Sequence, residues 1–164
     1  MPIEIERKFL VESQEWKSND STFIRQGYLN QDKNRTVRVR TSSDRGYLTI
    51  KGRNIGARRK EFEYEIPLEE AIELLELAEG SIIEKNRFRF VHAGLVWEVD
   101  EFLGDNSGLV IAEIEVATEN QSIAIPNWVG EEVTLDPRFF NSSLSKNPYK
   151  NWHAEKDQDL LPDG

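Results

Sequence analysis

A mainly β, α+β fold is predicted for this chain, with eight antiparallel strands closed into a barrel and a few covering helices. Three observations predict it. Segment after segment alternates charged with apolar residues at a period of two, the side-chain period of an extended strand. Short polar turns join these segments, and short turns make antiparallel neighbours. A single clear stretch of helical periodicity interrupts the series. Closing eight such strands on themselves removes exposed sheet edges.

The first strand, residues 3–11, puts Glu4, Glu6 and Lys8 on one face and Ile3, Ile5 and Phe9 on the other. A second strand is expected over 22–31, and a third over 35–42, where Arg38 and Arg40 alternate with Val37 and Val39. The turn Ser43-Asp44-Arg45-Gly46 leads to a fourth, 46–53, in which Lys51 and Arg53 oppose Leu48, Ile50 and Gly52. In the fifth, 59–66, Glu61, Glu63 and Glu65 alternate with Phe62, Tyr64 and Ile66. A helix over 68–78 follows: Pro67 precedes it, Glu69 and Glu70 occupy its first turn, and Gly80 lies beyond its end. Its apolar stripe is Leu68, Ala71, Ile72, Leu75 and Ala78.

The sixth strand, 81–91, alternates Lys85, Arg87 and Arg89 with Phe88 and Phe90, and turns at His92-Ala93-Gly94. The seventh, 95–103, sets Glu98 and Asp100 against Trp97 and Val99. After a turn over 104–108, the eighth, 108–117, sets Glu113 and Glu115 against Ala112, Ile114 and Val116. Short helices are expected over 119–124 and 142–146. A folded domain over 1–152 and a fraying polar tail over 153–164 complete the division.

Repeated in every strand, the alternation points the charges inward and the apolar residues outward, where helices supply cover. Dry burial of so many charges costs several kcal/mol per unpaired ion, so the lumen must be wet, internally paired and filled by ions. A polar tunnel for a metal-bound polyanion is the consistent picture.

Composition excludes other chemistries. The net charge of −9 repels nucleic acid and acidic membranes, so neither is expected as a partner. There is no cysteine, hence no disulfide and no thiolate site. The first ten residues are too charged for a signal peptide, and no apolar run reaches spanning length, so a cytoplasmic location is expected. No Gly-x-x-x-x-Gly-Lys-Ser/Thr loop is present, and the two histidines, His92 and His153, fall in a turn and in the tail. Carboxylates remain as metal ligands, and their oxygens select hard cations such as Mg²⁺ or Mn²⁺.

The segment Glu4-Ile5-Glu6-Arg7-Lys8 resembles the Glu-x-Glu-x-Lys signature of the CYTH superfamily, the triphosphate tunnel metalloenzymes. The resemblance continues through Arg25-Gln26-Gly27-Tyr28-Leu29, Val37-Arg38-Val39-Arg40, Leu48-Thr49-Ile50-Lys51, Glu61-Phe62-Glu63, Lys85-Asn86-Arg87, Glu98-Val99-Asp100 and Glu113-Ile114-Glu115. The segment from Asn141 to Pro148 is similar to the part of the family that precedes or forms its C-terminal plug. What the resemblance implies is an eight-stranded tunnel that hydrolyses a triphosphate with Mg²⁺ or Mn²⁺, nearest to the small bacterial tripolyphosphatases.

On that reading Lys8, Arg38, Arg40, Lys51, Lys85 and Arg87 form the phosphate clamp, with Arg53, Arg59, Arg89 and Lys146 as further contacts. Glu4, Glu6, Glu113 and Glu115 are the metal ligands, and Glu61, Glu63 and Asp100 serve a second metal, hold water, or pair with lumen bases. Tyr28, Lys85 and Glu63 are assigned to catalysis. Tyr28 acts as a proton acceptor if cations lower its pKa from about 10, and otherwise as a hydrogen-bond donor. Two alternatives stay open: a class IV type adenylyl cyclase, and a non-catalytic polyphosphate-binding module. Oligomeric state stays open as well, a homodimer included.

Overall fold

Nine antiparallel strands share one sheet in the structure, a computed structural model that describes residues 3–18 and 20–152. In chain order they are β1 (Ile3–Val11), β2 (Thr22–Asn30), β3 (Arg35–Ser42), β4 (Arg45–Gly52), β5 (Arg58–Ile66), β6 (Glu79–His92), β7 (Leu95–Phe102), β8 (Val110–Glu115) and β9 (Val129–Glu132). Helix α1 (Leu68–Leu75) separates β5 from β6, and α2 (Asn141–Lys146) follows β9. Eight strands run β5-β4-β3-β2-β6-β7-β8-β1, and a β5–β1 pairing closes them into a ring. All eight expected strands form, with ends shifted by no more than two residues. The tail expected at 153–164 lies outside the described residues.

Closure rests on β1. Residues 6–10 pair with β8 on one edge. On the other edge residues 3–5 take β5, and Phe9 and Val11 take the ninth strand. The Glu6 N–H donates to the Ala57 carbonyl and the Val133 N–H donates to the Lys8 carbonyl, so the chain entering β5 and the chain leaving β9 share that edge. Ala93 and Gly94, both at positive φ, make the two-residue β6–β7 turn, whose twist matches that of the flanking strands.

Three apolar clusters position the barrel. Outside, Phe9, Phe88, Trp97, Val99 and Ile114 pack beneath Trp16 and Trp128. Also outside, α1 lays Ala71 and Leu75 over Val39, flanked by Leu29, Leu48 and Ile66. The approach needs two glycines: a Cβ at Gly46 would lie 2.6 Å from the Ala71 Cβ, and one at Gly27 2.7 Å from the Ala78 Cβ. The third cluster closes one end of the lumen, where Ile83, Phe102 and Ile111 meet Val133, Phe139 and Leu144. The inward positions beyond Lys85, Asp100 and Glu113 are apolar, and the C-terminal segment plugs them, as the family resemblance implied.

Two expectations are corrected, the helix over 119–124 and the end of α1. No helix forms over 119–124, where a turn gives way to irregular chain. The Ala117 N–H donates to the Gln121 side chain at 2.7 Å, a local bond that competes with helix formation. Strand β9 was not anticipated, because its Val-Gly-Glu-Glu sequence carries no alternation and it pairs only with the end of β1. Helix α1 stops at Leu75, and residues 76–78 continue as tighter turns in which each N–H donates three residues back.

Candidate active site

The charged half of the lumen is a cavity of about 290 Å³. Seven carboxylates line it, Glu4, Glu6, Glu61, Glu63, Glu98, Glu113 and Glu115. They face seven cations, Lys8, Arg38, Arg40, Lys51, Arg59, Lys85 and Arg87. The strands segregate them in part, with Lys8 on β1 beside the acids. β1 and β8 carry Glu4, Glu6, Glu113 and Glu115, and β3 and β6 carry Arg38, Arg40, Lys85 and Arg87. With the charges balanced, a bare polyanion would meet as much repulsion as attraction, whereas one carrying its own cations suits both walls.

The acid wall is under electrostatic stress. Burial, then repulsion from Glu4, pushes Glu6 above the usual carboxylate range. Burial, then Glu6, does the same to Glu113. Burial, then contact with Glu61, raises Glu4, and burial, then Glu4, raises Glu115. A hard cation would relieve all four, and the donors, oxygen only, suit Mg²⁺ or Mn²⁺. Among the described residues no three acids already converge into a coordination sphere.

The basic wall is held from behind. Lys85 is fully buried, 2.8 Å from Asp100, and donates to the Asn141 side-chain oxygen at 3.1 Å. Burial lowers its pKa to about 7, with Arg87 and Arg40 adding to the effect against Asp100. Arg87 grips Asp100 through two bonds of 2.8 and 2.9 Å. Burial alone would raise Asp100, but the charges and bonds of Arg87 and Lys85 hold it well below the usual range. Arg38 donates to Thr49 at 3.1 Å and lies 3.5 Å from Glu63, which accepts from Thr49 at 3.0 Å. Lys51 stands 3.5 Å from Glu4 and 3.8 Å from Glu61. Lys8 stands 3.6 Å from Glu113 and 5.5 Å from the centre of the Phe140 ring. Arg59 donates to the Gly52 carbonyl at 2.9 and 3.0 Å. Arg40 has no carboxylate within 4 Å among the described residues, and burial, then Arg38 and Arg87, lowers its pKa to about 10.

The structure brings most of the sequence-predicted residues to this cavity, and four lie elsewhere. Asp100 lies behind the wall, where Arg87 and Lys85 contact both its oxygens and pair it as their counter-ion. Arg89 is exposed and does not line the cavity. Arg53 and Lys146 line a neighbouring basic pocket of about 370 Å³, which shares Arg59 and Asn54 with the main cavity. Tyr28 lines the cavity, and burial raises its pKa despite Arg38 and Lys8 nearby, so the phenol holds its proton at neutral pH in the ligand-free protein. Among the lining residues that sequence reasoning missed are Glu98, Thr134, Phe140, Asn141 and Ser142. For Glu98 the signal was present, since it shares strand parity with Asp100. The others sit on irregular chain or at the start of a short helix, where no periodicity marks them.

Residues 2–148 match the CYTH domain. The chain belongs to the CYTH family. The inorganic triphosphatase of Acetivibrio thermocellus is 55% identical over 151 residues, spanning 91% of this chain and 97% of that protein. The inorganic triphosphatase of Nitrosomonas europaea is 34% identical over 146 residues, spanning 87% and 96%. A solved inorganic triphosphatase structure superposes with a TM-score of 0.64 at 33% identity, covering 87% of this chain and 93% of that one. A Hippeastrum protein named for adenylyl cyclase, with a dominant triphosphatase activity, superposes with a TM-score of 0.53 over 70% of this chain and 80% of its own. At 14% identity that likeness concerns the fold alone. Among the described residues, no helix of this CYTH chain is long and apolar enough to cross a membrane.

Proposed function

We propose that this CYTH protein hydrolyses inorganic tripolyphosphate, or a closely related triphosphate, with Mg²⁺ or Mn²⁺. The observation that carries the reading is the two-walled cavity: an acid wall on β1 and β8 stands opposite a basic wall on β3 and β6. An anion site alone gains nothing from carboxylates beside its ligand, so the acids argue for cations bound with the phosphates.

Arg38, Arg40 and Arg87 bind phosphate oxygens, the planar guanidinium matching two oxygens at once. Lys8 and Lys51 add point charges from β1 and β4, and Arg59 reaches in from β5. Glu4, Glu6, Glu113 and Glu115 would hold the metal, which when bound polarises the phosphate oxygens and a water. Water attacks the terminal phosphorus, and the bridging P–O bond breaks. Orthophosphate and pyrophosphate leave, and the water's proton passes to a wall carboxylate or to solvent. Positioning and charge stabilisation dominate such transfers, which is why fixed cations suffice on the leaving side. Glu61 and Glu63 orient Lys51 and Arg38. Tyr28 donates a hydrogen bond.

The cyclase reading finds less support, since among the described residues Tyr28 and Phe140 are the only aromatic rings lining the cavity. Phosphorus NMR of the protein with Mg²⁺ and either tripolyphosphate or ATP separates the readings. Orthophosphate release that stops with EDTA and returns with Mg²⁺ or Mn²⁺ is the expected result. Cyclic AMP with pyrophosphate would mean the cyclase, and unchanged ligand a binding module. Turnover that persists in chelator would remove the carboxylates from the mechanism.

A further inference from the structure

Gln26 faces Arg40 directly across the β2–β3 ladder and Ile83 on the other side, where the charged cavity meets the apolar plug. It is wholly buried, at 0% exposure. The Arg40 Nε donates to the Gln26 side-chain oxygen at 3.2 Å, which fixes the amide orientation and leaves the Gln26 Nε2 without a partner among the described residues. A buried unpartnered donor costs stability, so a residue retained at that cost calls for a role. Its neighbours sharpen the point. Among the described residues Lys8, Arg38, Lys51, Lys85 and Arg87 each lie within 4 Å of a carboxylate, and Arg59 donates to the Gly52 carbonyl and the Thr36 hydroxyl, whereas Arg40 has this one neutral acceptor.

We infer that Gln26 is a positioning residue for triphosphate binding: it orients the Arg40 guanidinium while leaving its charge unspent for the incoming phosphate. A carboxylate in its place would hold the arginine equally well and neutralise it. A neutral amide fixes Nε and turns the remaining N–H groups toward the cavity. This deepens the proposed function and rests on it.

Gln26→Glu and Gln26→Met separate the roles. For Gln26→Glu, the melting temperature of the ligand-free protein should hold or rise, while KM for tripolyphosphate rises tenfold or more. For Gln26→Met, which removes the acceptor at similar volume, KM should rise by a smaller factor. In an Arg40→Met background neither change at Gln26 should move KM further, because Gln26 acts through Arg40. A KM for Gln26→Glu within twofold of wild type overturns the inference. So does a melting temperature that falls for both variants while KM stays unchanged, since that marks Gln26 as packing alone. If Gln26→Glu does not fold, Gln26→Met with and without Arg40→Met decides by the same rule. Wild-type protein that releases no phosphate from tripolyphosphate overturns the hydrolase reading itself. Turnover by wild type beside an unchanged KM in the variants overturns only the role of Gln26.

Discussion

The two ends of the lumen are built from the same strands and the same inward-facing positions, yet they have opposite chemistry. Lys85 gives way to Ile83 two residues along β6, Asp100 to Phe102 on β7, and Glu113 to Ile111 on β8. The charged end holds seven carboxylates and seven cations around a cavity, and the apolar end is filled by Phe139, Leu144 and Val133. The plug end supplies hydrophobic stability. The charged end draws little from it and is poised to bind. Between them lies Asp100, which ties the basic wall to the plug layer through Lys85 and Arg87.

That boundary should be the most sensitive point for stability. Asp100→Ala leaves two buried cations without their shared partner, at a cost of about 3–5 kcal/mol. For a chain of this size the melting temperature falls by about 2–4 °C per kcal/mol, so thermal melts will show it clearly. If melting without ligand is unaffected and only metal-dependent turnover is lost, Asp100 belongs with the ligands of the acid wall and the comparison fails.

Within the cavity the expected loss is of rate. Glu6→Gln keeps shape and strand pairing and removes one charge that a cation needs. Activity should fall roughly a hundredfold or more, since one well-placed electrostatic group is worth about 3–4 kcal/mol in the transition state. Initial rates beside melts of the ligand-free protein test this. Lower stability with activity spared would make Glu6 a structural partner.

At the plug, a smaller change should do the reverse. Ile83→Val removes one methylene from a fully buried position, costing about 0.5–1.5 kcal/mol. Turnover per folded molecule should stay close to wild type, measured by rates normalised to active-site titration. A rate loss larger than the stability loss would show that plug packing sets the position of Lys85.

The contrast also explains what was legible in the sequence. Alternation at a period of two identifies which side of a strand a residue faces, so Glu4, Glu6, Arg38 and Lys85 were assigned to the interior from sequence alone. It carries no information on depth. Asp100 and Glu98 have the same parity, but Asp100 is buried against Lys85 and Arg87 whereas Glu98 lines the cavity. Arg53 and Arg89 have the right parity and fall past the cavity's ends. Asn141 reaches Lys85 only because the plug folds back over 56 residues of sequence, a long-range contact with no local signal. In the irregular chain over 119–124, Ile123 packs against the outer aromatic cluster.

The smallest expected effect isolates the acid wall. Burial and Glu4 raise the Glu6 pKa above the unfolded value of 4.5, so the folded state holds the proton more tightly than the unfolded chain does. Stability linked to Glu6 is then fully present below pH 4.5 and is lost as pH rises through its raised folded value. Glu4 and Glu113 shift in the same direction, while Glu132 and Asp136, lowered by Arg7 and Arg138, work against them. A melt of wild type alone therefore mixes signs. The difference between Glu6→Gln and wild type removes the groups common to both. Without metal, Glu6→Gln should gain on wild type as pH rises from 4.5 to 7.5, because only wild type ionises a carboxylate beside Glu4. Saturating Mg²⁺ at pH 7.5 should stabilise wild type more than the variant and narrow or reverse that gap. A difference that stays flat with pH, or that Mg²⁺ leaves untouched, would mean that Glu6 neither carries the repulsion nor meets the cation.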